Sequence, residues 1–260
     1  MRFLRAFLLS LVFVTAASAD EIKVSVAVSL KEAVTEIANN YKSAGGDDVV
    51  FTFGSSGQLA TQIKDGAPVD AFISAANKQV DDLIKADLAD PTTRRVVAGN
   101  TLVLIIPANA TGASPSAIAD LADAKFKKIA IGDPKTVPAG DYAMQTLMAL
   151  KLADKVSDRL IYGTNVRQVL AYVEDGDVAA GLVYATDAKE SGDKVKVVAT
   201  ADEKTHEPIV YPAVVIKGSK KKDATVKFLD YLKSDNSQKV LLDKGFVTNV
   251  PASTSMAPAK

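Results

Sequence analysis

The chain has 260 residues with 31 Lys+Arg against 31 Asp+Glu, a balance that supplies neither the basic surface a nucleic-acid binder uses nor a polybasic membrane patch. It contains no cysteine, which excludes disulfides, thiolate metal sites and a lipidated cysteine. Hydrophobic residues make up 48% and aromatics only 6%, so the core must be built from small aliphatic side chains, in one large domain or two smaller ones.

Residues 1–19 carry Arg2 and Arg5, the apolar run Ala6 to Val14 and the small-residue site Ala17-Ser18-Ala19, the three-part layout of a cleavable secretory signal. The mature chain is expected to begin at Asp20, with a net charge of −2 once the two arginines are gone, and to work as a soluble periplasmic monomer. No later stretch reaches the roughly 20 apolar residues of a membrane-spanning helix.

The even-numbered positions Ile22, Val24, Val26 and Val28 mark a period-two strand. Ser29-Leu30-Lys31-Glu32 then reads as a capping box opening a helix to about Tyr41. Past Gly45-Gly46, Val49 to Phe53 is a second strand, and Gly54-Ser55-Ser56-Gly57 leads into a helix over Gln58 to Lys64. Ala71 to Ser74 is a third strand, followed by a polar helix from Lys78 to Ala86. Leu102 to Ile106 is a buried strand, Ile118 to Leu121 a short helix, and Ile129 to Ile131 a strand closed by Gly132-Asp133-Pro134. Val137-Pro138-Ala139-Gly140 launches a helix through Leu150, with proline in its tolerated first-turn place. Asn165 caps a helix to Glu174, and Ala180 to Tyr184, Val195 to Ala199 and Val210 to Ile216 are strands. Asp223 to Gly245 forms two helices ended by a C-cap glycine. Strands alternating with helices define an α/β chain with mixed, mostly parallel sheets. The best positions for chain crossings are Gly99-Asn100 and Thr200 to Tyr211.

The junctions carry the chemistry. The first N–H groups of a helix have no internal acceptor, and the helix dipole adds partial positive charge there, so a helix N-terminus accepts an anion. Two of these junctions offer serine hydroxyls as well, Ser29 and the pair Ser55-Ser56, and two more start at Ala139-Gly140 and Asn165-Val166. Taken singly each is ordinary helix punctuation; their recurrence in one chain points to an oxyanion site made of neutral donors. A donor-only site favours a fully deprotonated tetrahedral anion, because a hydrogen phosphate brings a proton with no acceptor. The nearest carboxylate, Asp133, reads as a turn residue.

Several stretches together resemble the periplasmic molybdate-binding proteins of ABC importers. They are Val26-Ala27-Val28-Ser29-Leu30, Phe53 to Ala60, Gly66 to Ala75, Gly132-Asp133-Pro134 with Val137 to Ala143, Asn165-Val166-Arg167, and Gly181 to Tyr184 with Thr186-Asp187-Ala188. The resemblance implies a two-lobed fold with the ligand cleft between lobes, residues 20–100 plus 211–260 forming one lobe and 101–210 the other. It implies hydrogen bonds to molybdate, or tungstate, from the hydroxyl and N–H of Ser29 and of Ser56, from the N–H of Ala139 and of Val166, and from the hydroxyl of Tyr184. It also implies delivery to a membrane permease, no cofactor and no direct metal ligand, the metal arriving as its oxyanion. Arg167, beside a donor, reads as a solvated or lobe-bridging side chain.

Two rival readings remain at this level. The ligand could be sulfate or another tetrahedral oxyanion; sulfate is also a fully deprotonated tetrahedral dianion, separated from molybdate only by cavity size. A serine hydrolase needs a histidine beside its serine; the single histidine, His206, lies in a polar stretch that reads as an exposed loop. No nucleophile elbow, phosphate loop or zinc-site pattern accompanies it, so no enzymatic activity is expected.

Overall fold

The computed structural model describes residues 21–248 and Val250; the proposed signal segment lies outside them. The chain starts with β1 (Ile22–Ala27), α1 (Lys31–Ser43), β2 (Val49–Gly54), α2 (Ser56–Lys64), β3 (Ala71–Ile73), α3 (Asn77–Lys85) and β4 (Ala89–Gly99). It continues with β5 (Leu102–Pro107), β6 (Ile129–Gly132), α4 (Pro138–Ala149), α5 (Ala153–Val156), β7 (Leu160–Gly163), α6 (Val166–Glu174), β8 (Ala180–Tyr184), α7 (Ala185–Glu190) and β9 (Val195–Thr200). It ends with β10 (Val210–Ile216), α8 (Lys222–Tyr231) and α9 (Asp235–Asp243).

The strands form two five-stranded sheets, in the orders β2-β1-β3-β10-β4 and β7-β6-β8-β5-β9. The chain leaves the first sheet after β4 and rejoins it at β10. Each sheet is mixed, as expected, although parallel pairing is less dominant than the βαβ pattern implies. In the first, β1 runs parallel to β2 and β3 while β10 runs antiparallel to β3 and β4; in the second, β6 runs parallel to β7 and β8 while β5 runs antiparallel to β8 and β9. The chain reverses direction where it enters the second sheet and again where it re-enters the first, and each returning strand lies inside its sheet. That is why β5 and β10 are buried along their whole length and read as continuous apolar runs rather than alternating ones.

Helices cover the sheets through one-sided apolar faces. In α1 the buried residues Ala33, Val34, Ile37, Ala38 and Tyr41 recur at helical spacing. In α3 only Val80 and Leu83 are buried, and they join Leu59, Ile63, Phe72 and Val214 in a small core of their own. Among the described residues no helix is long and apolar enough to cross a membrane.

The expected capping box at Ser29 does not form. Val28–Leu30 makes a 3-10 turn and α1 begins at Lys31 without a side-chain cap. The Ser29 hydroxyl is taken by Tyr211 instead, and Glu32 by Arg167, so tertiary partners outbid the local pattern. At α2 the cap is Ser55, whose hydroxyl accepts from Gln58 N–H, and at α6 it is Asn165, accepting from Gln168 N–H. The helix expected over Ile118 to Leu121 is a 3-10 helix reaching Ala122.

Candidate functional site

Ser29, Ser56, Ala139, Val166 and Tyr184 line one small chamber. They come from both sheets' helices and loops, and none is more than 3% exposed. None of the described residues lining the chamber is charged.

Each donor is left over by local hydrogen bonding. In the first turn of α2, Gln58 N–H goes to the Ser55 hydroxyl at 3.4 Å and Gly57 N–H crosses to Thr136 O at 2.9 Å; Ser56 N–H, at the first helical position, has no acceptor within the helix. In α4, Pro138 has no N–H, while Gly140 and Asp141 both donate to Val137 O. Ala139 thus carries the N–H that the turn cannot use. That helix start sits tightly on the end of β6, since a Cβ on Gly140 would lie 2.0 Å from Gly132 O; only glycine permits the approach that aims Ala139 at the chamber. In α6 the Asn165 side chain serves Gln168 N–H at 3.0 Å, and Val166 N–H stays outside the helical ladder.

The hydroxyls are held as firmly. Ser56 Oγ accepts from Ala75 N–H at 2.9 Å, and Ser29 Oγ lies 3.0 Å from Tyr211 Oη. Tyr184 ends β8, and its hydroxyl donates weakly to Ala75 O at 3.5 Å, a bond its one proton would leave on turning to an anion. Burial pushes the Tyr184 hydroxyl well above its usual pKa, so it remains a protonated donor at neutral pH.

The remaining sequence candidates lie elsewhere. Asp133 does not line the chamber; its carboxylate accepts from Lys135 N–H at 3.0 Å and its carbonyl from Thr136 and Val137, as a turn residue does. Arg167 bridges the lobes, its guanidinium 2.6 Å from Glu32 Oε2 on α1 and 2.6 Å from Asp187 Oδ1 on α7. His206 is half-buried rather than exposed, packed edge-on against Tyr142 with its Nδ1 at 2.7 Å from Glu207 O. Sequence reasoning missed Ala75, Asn100 and Tyr211, which hold the serine and tyrosine hydroxyls. A tyrosine interrupting the aliphatic run of β10 was the one visible signal.

The chain matches the family of bacterial extracellular solute-binding proteins over residues 22–247. It is 43% identical over 233 residues to a molybdate-binding protein of Haemophilus influenzae, covering 88% of this chain and 91% of that one. The chain belongs to this solute-binding family. Solved structures agree with that placement. The substrate-binding domain of a putative molybdenum ABC transporter from Clostridium difficile is 42% identical with a TM-score of 0.68, covering 87% of this chain and 98% of that one. The periplasmic molybdate-binding protein of Azotobacter vinelandii is 26% identical with a TM-score of 0.77, covering 88% of this chain and 99% of that one. The two-lobed architecture of these solute-binding proteins is the one the two sheets form here.

Proposed function

We propose that this protein captures molybdate, or tungstate, in the periplasm and hands it unchanged to the permease of an ABC importer. The donors are the hydroxyl and N–H of Ser29 and of Ser56, the N–H of Ala139 and of Val166, and the hydroxyl of Tyr184. The observation that carries this reading is their convergence: five neutral donor residues from both lobes line one buried, uncharged chamber. The names of the relatives supply the anion. Residues 20–100 with 211–260 would form one lobe and 101–210 the other, in a monomer whose signal is cleaved after Ala19. His206, engaged with Tyr142 and Glu207, is no base for either serine, which favours binding without catalysis.

Hydrogen bonds to a charged group are worth ~1.5–3 kcal/mol net each, so seven give roughly 10–20 kcal/mol before ordering and association take several back. Sub-micromolar affinity follows. A thermal-shift series with molybdate, tungstate, sulfate and phosphate tests the assignment. At about a thousandfold excess over Kd, molybdate and tungstate should stabilise the fold by ~4 kcal/mol, a rise in Tm of about 10 °C for a chain of this size. A shift with sulfate alone would reassign the anion, and no shift with any of the four would end the oxyanion reading.

Removing both serine hydroxyls, as Ser29→Ala with Ser56→Ala, should abolish the molybdate shift. The ligand-free melting point should fall as well, by roughly 5–20 °C, because the lost partners of Tyr211 and Ala75 N–H cost about 1–3 kcal/mol each. A double variant that keeps the full shift would place the anion elsewhere.

A further inference from the structure

The Ser29 hydroxyl is wired into a hydrogen-bond chain whose direction can be worked out. Thr101 N–H donates to Asn100 Oδ1 at 2.8 Å, which fixes the amide oxygen toward the backbone and turns the NH₂ group the other way. Asn100 Nδ2 then donates to Thr186 Oγ1 at 2.8 Å and to Tyr211 Oη at 3.0 Å. An amide nitrogen is no acceptor, so the phenolic proton of Tyr211 cannot go back to Asn100. Among the described residues the other hydrogen-bond partner of Tyr211 Oη is Ser29 Oγ, 3.0 Å away.

If Ser29 donated to Tyr211, the phenolic proton would be stranded on a tyrosine that is 0% exposed, enclosed by the rings of Phe246 and Tyr184. A buried hydroxyl without an acceptor is the costly case. Tyr211 therefore donates and Ser29 accepts, and the serine's own proton is left for the chamber it lines. Ser56 is arranged in the same sense, its oxygen already accepting from Ala75 N–H. Both serines are thereby held as donors toward the anion.

We infer that Tyr211, aligned by Asn100, is a positioning residue that sets anion specificity by fixing the direction of the Ser29 proton. A fully deprotonated tetrahedral oxyanion meets a hydroxyl committed to donating, whereas hydrogen phosphate needs an acceptor, and Tyr211 already occupies one of the two lone pairs of Ser29 Oγ while the serine proton points at the anion. Released from Tyr211, Ser29 can turn its proton away and offer a lone pair. The inference rests on the proposed role of Ser29 as a ligand donor.

The experiment is a double-mutant cycle read by calorimetric titration of sodium molybdate into the mature protein, with inorganic phosphate as competitor. Tyr211→Phe should weaken molybdate binding about tenfold, and leave phosphate binding unchanged or stronger. In a Ser29→Ala background the same substitution should change the molybdate Kd less than about twofold. Asn100→Ala, which keeps the Tyr211 ring in the core, should repeat the pattern with a smaller loss and guards against a Tyr211→Phe protein that fails to fold. Equal losses with and without the Ser29 hydroxyl, or a parallel fall for both anions, would make Tyr211 a packing residue and overturn the inference. If Ser29→Ala alone leaves molybdate binding intact, the site reading itself fails, a result separate from the first because it needs no change at Tyr211.

Discussion

Gly57→Ala is expected to weaken molybdate binding about a hundredfold, ~3 kcal/mol, while the ligand-free protein melts at or slightly above its normal temperature. Gly57 sits in the first turn of α2, where its N–H meets Thr136 O of the facing lobe at 2.9 Å. A Cβ at this position would lie 2.6 Å from that oxygen and 2.7 Å from Thr136 Cα, distances that real carbon atoms do not tolerate, and both opposing atoms are backbone. The lobes must then stand further apart. Overpacking of this kind costs ~1–3 kcal/mol, and stretching the cross-lobe hydrogen bond adds ~0.5–1.5. That penalty applies only when the lobes are shut. With the lobes parted, alanine in place of a helical glycine favours the helix. Opposite signs on affinity and ligand-free stability separate this mechanism from simple misfolding. Titration and melting of the same variant check it, and wild-type affinity in Gly57→Ala would mean that the anion is not held by the closed arrangement.

Most of the proposed donor positions could be located in the sequence because a helix start depends on a few consecutive residues. A strand, a small or hydroxylated residue and a helix start are local facts, which is how the junctions at Ser55-Ser56, Ala139-Gly140 and Asn165-Val166 could be found. The choice of Ser56 and the proposed role of Tyr184 come from the family resemblance, and Ser56, Ala139, Val166 and Tyr184 line one chamber. What escaped the local reading is held by distant partners. The capping box at Ser29 was a sound local pattern, but its serine pairs with a residue 182 positions away and its glutamate with one 135 away. β4 was not foreseen because Asp90, Pro91, Thr92 and Thr93 break any alternation; it exists because β10 pairs with it, through two shifts in register. β7 is four residues long and takes its order from β6. Asn100 carries no signature, and Tyr211 only its place in the aliphatic run of β10, until the two crossing segments are brought together.

Asp187 is another such residue, and the largest loss of stability is expected where it is paired. Its carboxyl is 0% exposed, and burial pushes its pKa up to about 6 although the Arg167 guanidinium pulls the other way. Arg167→Met leaves that carboxylate without its counter-ion, so at pH 8 the variant should lose about 3–5 kcal/mol of unfolding free energy, the usual cost of breaking one side of a buried pair. The pH dependence has a definite sign. A folded-state pKa of about 6, above the usual 3.8, means that the native state holds the proton more tightly than the unfolded chain does. This group's contribution is therefore most favourable below pH ~4 and declines as pH rises through 6, by ~3 kcal/mol in total at 1.36 kcal/mol per unit. Without Arg167 the carboxyl loses its main charge partner and its pKa moves higher still, so the Arg167→Met deficit should shrink as the pH is lowered. Asp187→Asn should remove this share of the pH dependence, and in combination with Arg167→Met should recover most of the lost stability, leaving only the missing bridge to Glu32. Urea unfolding of the four proteins between pH 4 and 8 measures every one of these differences. A deficit in Arg167→Met that is independent of pH, or that Asp187→Asn does not relieve, would show that packing of the arginine stem, and not the charge on Asp187, accounts for the loss.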